Sequence, residues 1–372
     1  MQNVNETERD SARTGLERFV GLEHLEPGSL HVRSWGNVAD GTTFTRRCRP
    51  GQVLFGKRRA YQRKVAVAEF DAVVSGDIYV FAPKAGRLIP ELLPFICLSK
   101  RFYEHAVGTS AGSLSPRTNW SSLAGFEFDL PPLEVQRRIA EVLWTLIELQ
   151  ETYLNAISRC NIWITSFVGE LHSDAHISRI VLSSVIDAII PGKSVSGVNE
   201  PIENGQYGVL KVSAVGPNGF DAQEHKRLIQ QTDFLPQFAV CAGDFLITRC
   251  NTPQLVGRVC IVPDECPNLM LCDKTIKLVF SPEKVEPRFL EEVLKSRGVR
   301  QQIEKCASGT GGAMKNISQE DIRSIIVPLP ELETQKELVR TIEIIKRIRI
   351  QFEIALGSSS RLSTEITNQA LG

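Results

Sequence analysis

One stretch of this chain occurs twice, and that repeat limits the possible folds more than any other feature. Leu130-Pro131-Pro132-Leu133-Glu134-Val135-Gln136 returns 199 residues later as Leu329-Pro330-Glu331-Leu332-Glu333-Thr334-Gln335. A Gly-Thr loop precedes each copy, Gly108-Thr109-Ser110-Ala111-Gly112 and Gly309-Thr310-Gly311-Gly312. Further upstream, Gly51-Gln52-Val53-Leu54-Phe55 resembles Gly243-Asp244-Phe245-Leu246-Ile247. Between them, Asp77-Ile78-Tyr79-Val80-Phe81 pairs loosely with Thr275-Ile276-Lys277-Leu278-Val279. The chain reads as two copies of one unit, with a period far too long for a solenoid. Its 372 residues suit two domains of roughly 100–200 residues each.

A long helix follows each Leu-Pro motif, because proline and glutamate in a first turn are helix-start signals. Val135, Ile139, Val142, Leu146, Leu149, Tyr153, Ala156, Cys160, Trp163 and Phe167 recur at alternating spacings of four and three, all apolar. The same offset gives Thr334, Leu338, Thr341, Ile345, Ile348, Phe352, Ala355, Ser359, Leu362 and Ile366, seven of them apolar. Two such heptad seams can close on each other as a coiled coil. With a globular unit between the helices, an antiparallel pair is the natural geometry; the alternative is that each helix covers its own domain.

The globular parts read as mixed α/β. Val65–Phe70, Ile78–Ala82, Val209–Val212, Phe245–Thr248, Val256–Val262 and Thr275–Phe280 are β-branched or aromatic runs bounded by turn residues. Leu88–Tyr103 and Glu286–Ser296 look helical. The fold class expected is therefore α+β, two pseudo-repeated α/β domains each followed by a long helix. The boundaries fall at 1–132, 133–171 (central helix), 172–328 and 329–372 (C-terminal helix). The copies are unequal. Ile177–Val195 has no visible counterpart in the first, and matching Gly21-Leu22-Glu23 to Val209-Leu210-Lys211 would place that counterpart before residue 1, leaving the first domain shortened and without its opening strand.

The familiar catalytic constellations are missing. Pro191-Gly192-Lys193-Ser194 ends like a phosphate-binding loop, but Asp187 stands where its first glycine belongs. Glu224-His225-Lys226 supplies only half of a paired-acid nuclease motif, with Asp221 too close upstream. His172 and His176 lack a third ligand, and no Gly-x-Ser-x-Gly occurs. The nine cysteines contain no Cys-x-x-Cys pair and read as buried thiols of a reducing cytoplasm. No apolar leader or 18-residue apolar run is visible, so neither a signal peptide nor a membrane span is expected.

Charge is more informative in its distribution than in its sum. Forty-three basic residues balance forty-three acidic ones. Yet the nineteen residues from Arg46 to Lys64 carry Arg46, Arg47, Arg49, Lys57, Arg58, Arg59, Arg63 and Lys64 and no acid, a local charge of +8. Such a field attracts phosphates, and arginines with Tyr61 among them suit contacts to bases and sugars. A solvated or salt-bridged surface is the alternative. The corresponding place in the second copy is Ile247-Thr248-Arg249-Cys250-Asn251-Thr252. Arg and Asn are the side chains that read guanine and adenine edges, although Asn251 and Thr252 could equally make an Asx turn.

This combination resembles the specificity (S) subunit of type I restriction-modification systems. Gly21-Leu22-Glu23-His24-Leu25, Gly56-Lys57-Arg58-Arg59-Ala60-Tyr61, Gly108-Thr109-Ser110-Ala111-Gly112-Ser113-Leu114-Ser115 and Arg249-Cys250-Asn251-Thr252 are similar to segments of its target-recognition domains. The resemblance implies a cytoplasmic, non-catalytic subunit without a cofactor of its own. Its two domains would read a split double-stranded DNA sequence. Its helices would set the gap and dock two methyltransferase subunits, which bring S-adenosylmethionine, and nuclease–translocase subunits would join for cleavage. A helix from Leu133 to Phe167 spans about 50 Å, roughly one and a half turns of B-DNA. On this reading Arg46, Arg47, Lys57, Arg58, Arg59, Tyr61, Arg63 and Lys64 serve the first half-site. Arg249, Asn251 and Thr252, with Lys193, Lys211 and Lys274 as phosphate partners, serve the second. A coiled-coil scaffold without DNA specificity, or a self-sufficient DNA-modifying enzyme, are the alternatives.

Overall fold

The computed structural model of the chain describes residues 1–9, 14–309 and 314–371. It forms two compact units, one of residues 1–157 with 351–372 and one of residues 158–350.

In unit 1 a four-stranded antiparallel sheet runs Gln2–Asn3, Ile78–Ala82, Val53–Gly56, Val65–Val67. A second runs Gly36–Asn37, Arg18–Val20, Ala72–Val74, Arg46–Cys48, with Arg18–Val20 and Ala72–Val74 parallel. Alternation along a strand puts successive side chains on opposite faces. Val53 and Phe55 therefore enter a core shared with Leu93, Phe95 and Phe102 of the helices, and Leu54 enters a core facing the second sheet. Unit 2 repeats the plan. Its first sheet runs Ile186–Pro191, Thr275–Phe280, Phe245–Thr248, Val259–Ile261, and its second has five strands, with Gly208–Leu210 and Cys266–Met270 parallel. Phe245 and Ile247 face one core and Leu246 the other.

The ladders refine the alignment of the copies. Val53 pairs with Phe81 as Phe245 pairs with Leu278, so Ile78 rather than Asp77 stands at the place of Thr275. Asn3 lies across from Phe81 as Ile189 lies across from Leu278. The opening strand expected to be missing is thus present as Gln2–Asn3. Among the strands of unit 2 without a counterpart in the described residues of unit 1 are Arg179–Val181 and its partner Ile326–Pro328. The 3-10 turns Leu22–His24 and Val212–Ala214 follow equivalent strands, two residues out of step with the match of Leu22 to Leu210.

The expected helix Leu88–Tyr103 is two, Leu93–Leu98 and Lys100–Gly108, because Ser99 is extended and its hydroxyl caps Phe102 N–H. Ser296 likewise separates Pro287–Lys295 from Arg297–Cys306.

The central helix spans Leu133–Leu171 and the C-terminal helix Leu332–Leu371. In unit 1 the Tyr153 and Phe352 rings lie 6.0 Å apart, and Ala140, Leu143 and Ile147 share a core with Leu371. In unit 2 Arg349 donates to Asn161 at 3.0 Å, and Val168 and Leu171 share a core with Val339 and Ile342. The pair is therefore an antiparallel coiled coil. Its buried face differs from the expected seam. Val135, Val142 and Leu149 are 42, 47 and 37% exposed, whereas Gln136, Ala140, Leu143, Ile147 and Gln150 are buried. The inward stripe is one residue further along because this half of the helix must also cover the α/β body of unit 1.

Candidate nucleic-acid interface

The basic run of unit 1 divides on folding. Arg46 and Arg47 lie on the strand Arg46–Cys48. Arg47 donates to Asp71 at 2.8 and 3.1 Å and Arg49 to Glu6 at 2.6 and 3.0 Å. Acids distant in sequence therefore neutralise this part, which the local count of +8 could not show. Arg46 donates to the Ile78 carbonyl at 3.1 Å with its guanidinium 5.6 Å from the Tyr79 ring.

The remainder, Lys57 to Lys64, forms a turn beyond the edge of the first sheet. Ala60–Gln62 is a 3-10 turn flanked by Arg59 and Arg63, both at φ +52°. Side chains rarely adopt that left-handed conformation, and its strain of about 1 kcal/mol or more concentrates at functional sites. Tyr61 is exposed on the turn. Lys57 Nζ lies 4.9 Å from the Tyr79 ring; burial, then the nearby Arg46 charge, lowers its pKa. Arg63 stacks on Tyr103 at 4.1 Å, and Lys64 donates to the Leu22 carbonyl at 2.8 Å.

A hairpin, Ser110–Ala111 with Arg117–Thr118, adds residues absent from the sequence-based set. Arg117 pairs with Asp77 at 2.7 Å, Arg58 reaches the same carboxylate at 3.5 Å, and Arg58 also donates to Ser115 Oγ at 3.2 Å. The Arg117 hydrogen bond first, with both guanidinium charges adding to it, holds the Asp77 carboxyl below its ordinary range. Leu114, between the two strands, is 89% exposed. The signal for Arg117 was its place a few residues after the Gly-Thr loop.

In unit 2 the connection between Phe245–Thr248 and Val259–Ile261 takes this place and carries other side chains. Arg249 is exposed, and its N–H donates to the Lys274 carbonyl at 2.8 Å. Lys211 and Lys274 line a groove of about 310 Å³ with Ser194 and Lys226, and Lys193 bridges to Cys272 beside it. Lys211 also lies 3.8 Å from Glu224. Asn251 is buried, and its Oδ1 accepts the Thr252 N–H at 2.8 Å. Gly192 closes a strand rather than cradling a phosphate, since a Cβ there would lie 2.1 Å from the Cys272 carbonyl oxygen. Residues 310–312 of the second Gly-Thr loop lie outside the described residues.

Fold and site together define a duplicated α+β protein with two long helices, each unit carrying a cationic connection braced by a hairpin or short strand. Residues 43–159 and 183–356 match the family model of the type I restriction modification DNA specificity domain, and the chain belongs to that family. The EcoEI specificity subunit of Escherichia coli is 30% identical over 169 residues, covering 44% of this chain and 28% of that protein. The EcoKI specificity subunit of Escherichia coli K12 is 26% identical over 289 residues, covering 71% and 61%. The chain spans less than two thirds of the length of either relative. A chain from structural work on complex assembly and conformational transition of the type I R-M system shares the fold. Its TM-score is 0.62 at 18% identity, over 99% of this chain and 95% of its own.

Proposed function

We propose that this chain is a non-catalytic DNA sequence-recognition subunit of a type I restriction-modification complex, acting in the cytoplasm. Residues 1–132 and 172–328 would each read one half of a bipartite site, and the helices 133–171 and 329–372 would space them. The observation that carries this reading is the pair of equivalently placed segments, Lys57–Arg58 and Arg249–Cys250, carrying different side chains on one backbone scaffold. One scaffold with two side-chain sets suits two different half-sites.

The helices support partner docking. Val135, Val142 and Leu149 stand exposed seven residues apart in unit 1, and Ile344 and Ile348 stand exposed four apart in unit 2. Exposed apolar stripes mark protein interaction sites, and methyltransferase subunits carrying S-adenosylmethionine are the partners proposed for them, with restriction subunits joining that assembly. No described helix is long and apolar enough to cross a membrane.

The test is binding of the full chain to duplex DNA against salt concentration, with Arg58→Ala/Arg59→Ala as the variant. Removing one neutralised phosphate lowers the slope of log K against log salt by about 0.9. Weaker binding with a flatter slope supports the reading. Unchanged affinity and slope would overturn the placement, and no binding by the parent chain would overturn the reading itself.

A further inference from the structure

The hairpin strands Arg117–Thr118 and Lys315–Asn316 occupy one structural position in the two units. Thr118 N–H donates to the Lys57 carbonyl at 3.0 Å, and Ile317 N–H to the Arg249 carbonyl at 2.9 Å. Arg58 bridges Arg117 as Cys250 bridges Asn316. Lys57 N–H donates to the Asp77 carbonyl at 2.9 Å, as Arg249 N–H does to that of Lys274. The backbone is preserved, while every side chain at these four places changes: Lys57 to Arg249, Arg58 to Cys250, Asp77 to Lys274, Arg117 to Asn316.

The changes are correlated. Where two guanidiniums stand side by side, a carboxylate lies between them; where Cys250 and Asn316 replace them, a lysine replaces the carboxylate. Two close like charges repel, and Asp77 offsets that repulsion while fixing both forks. Both arginines remain accessible, with side chains 39 and 50% exposed, and each retains donors beyond those Asp77 engages. Side chains ordered before binding lose less entropy on binding. Asn316 is exposed at the equivalent place.

We infer that Arg117 and Asn316 are specificity-determining residues, with Arg117 and Arg58 reading a guanine edge in one half-site and Asn316 an adenine edge in the other. Asp77 is the positioning residue of the arginine pair. This rests on the DNA-reading function proposed above. It assigns Arg to the N7 and O6 acceptors of guanine and Asn to the N6 and N7 of adenine, the pairings that bidentate geometry favours.

The test is selection of bound sequences from a randomised duplex pool by the full chain, followed by sequencing. The parent chain should enrich a two-part motif; if it enriches none, the DNA-reading function fails. Arg117→Ala should lose about tenfold or more of its preference at a G·C position in one half only. Arg117→Lys, which keeps the charge but not the fork, should lose the same preference. Asn316→Ala should blur an A·T position in the other half. Asp77→Asn should blur the Arg117 position while the other half of the motif stays sharp, and a general loss of unit 1 structure would instead erase every position of its half-site. A motif unchanged in Arg117→Ala, or degraded equally in both halves, would overturn the assignment while leaving the DNA-reading function standing.

Discussion

Gln136 and Gln335, 199 residues apart, make the same three hydrogen bonds. Gln136 Oε1 accepts the Ile89 N–H at 3.1 Å, and its Nε2 donates to the carbonyls of Arg87 and Pro131 at 2.8 Å. Gln335 Oε1 accepts the Glu286 N–H at 2.9 Å, and its Nε2 donates to Lys284 at 2.9 Å and Pro330 at 2.8 Å. Both are 1% exposed or less. The glutamine of the repeated motif is thus a latch that ties the first turn of each long helix to the loop entering Leu93–Leu98 in unit 1 and Pro287–Lys295 in unit 2.

Removing a latch strands one buried donor and two acceptors. Each unsatisfied group costs about 1–3 kcal/mol, offset in part by water entry. Gln136→Ala and Gln335→Ala are each expected to destabilise by roughly 2–3 kcal/mol on that basis, read as a lower urea midpoint. Glutamate is no substitute, because it cannot donate to the two carbonyls.

Acid should loosen unit 2 through His172. Its Nε2 lies 2.9 Å from Ser296 Oγ, and its ring packs 3.3 Å from where a Gly298 Cβ would be. Burial, then the Arg179 charge, lowers its pKa. The unfolded chain therefore binds this proton more tightly than the folded one. The stabilising contribution is complete above the ordinary histidine value of about 6.5 and is lost as pH falls below it. The thermal midpoint should drop between about pH 7.5 and 5.5, and the dependence should flatten in His172→Gln.

The thiols should divide by burial. All nine are free, and Cys48, Cys97 and Cys260 are buried. Desolvation pushes the Cys48 and Cys260 thiols up to about 12 and raises Cys97 as well. Thiolate is the reactive form. Iodoacetamide at pH 8 should modify the exposed Cys241 and Cys306 first, and the three buried thiols only after denaturant is added, as mass spectrometry of peptides would show.

Gly192→Ala should displace the end of the strand Ile186–Pro191, because the added methyl meets backbone atoms of Leu271 and Cys272 rather than a movable side chain. The expected cost is roughly 1–3 kcal/mol, as for other overpacked sites, measured by thermal unfolding. Since Lys193 follows directly, DNA affinity should fall with it.

The sequence showed most plainly what is periodic. The repeated motif, the two long helices and the central strands Ile78–Ala82, Phe245–Thr248 and Thr275–Phe280 all carry a regular apolar pattern. What it hid depends on distant partners. Glu6 and Asp71 reach Arg49 and Arg47 across the fold. Asp77 joins residues 58 and 117, which only the hairpin brings together. The outward turn of Val135, Val142 and Leu149 is decided by the body the helix must cover, which a heptad pattern does not encode.

Unit 2 is continuous from 158 to 350, whereas unit 1 is completed by residues 351–372. Leu371 closes the core around Ala140, Leu143 and Ile147, and Asn368 accepts the Lys100 N–H at 2.9 Å. Unit 1 is therefore completed only by residues that lie beyond the whole of unit 2 in the sequence. Removal of residues 351–371 should accordingly disturb unit 1 and spare unit 2.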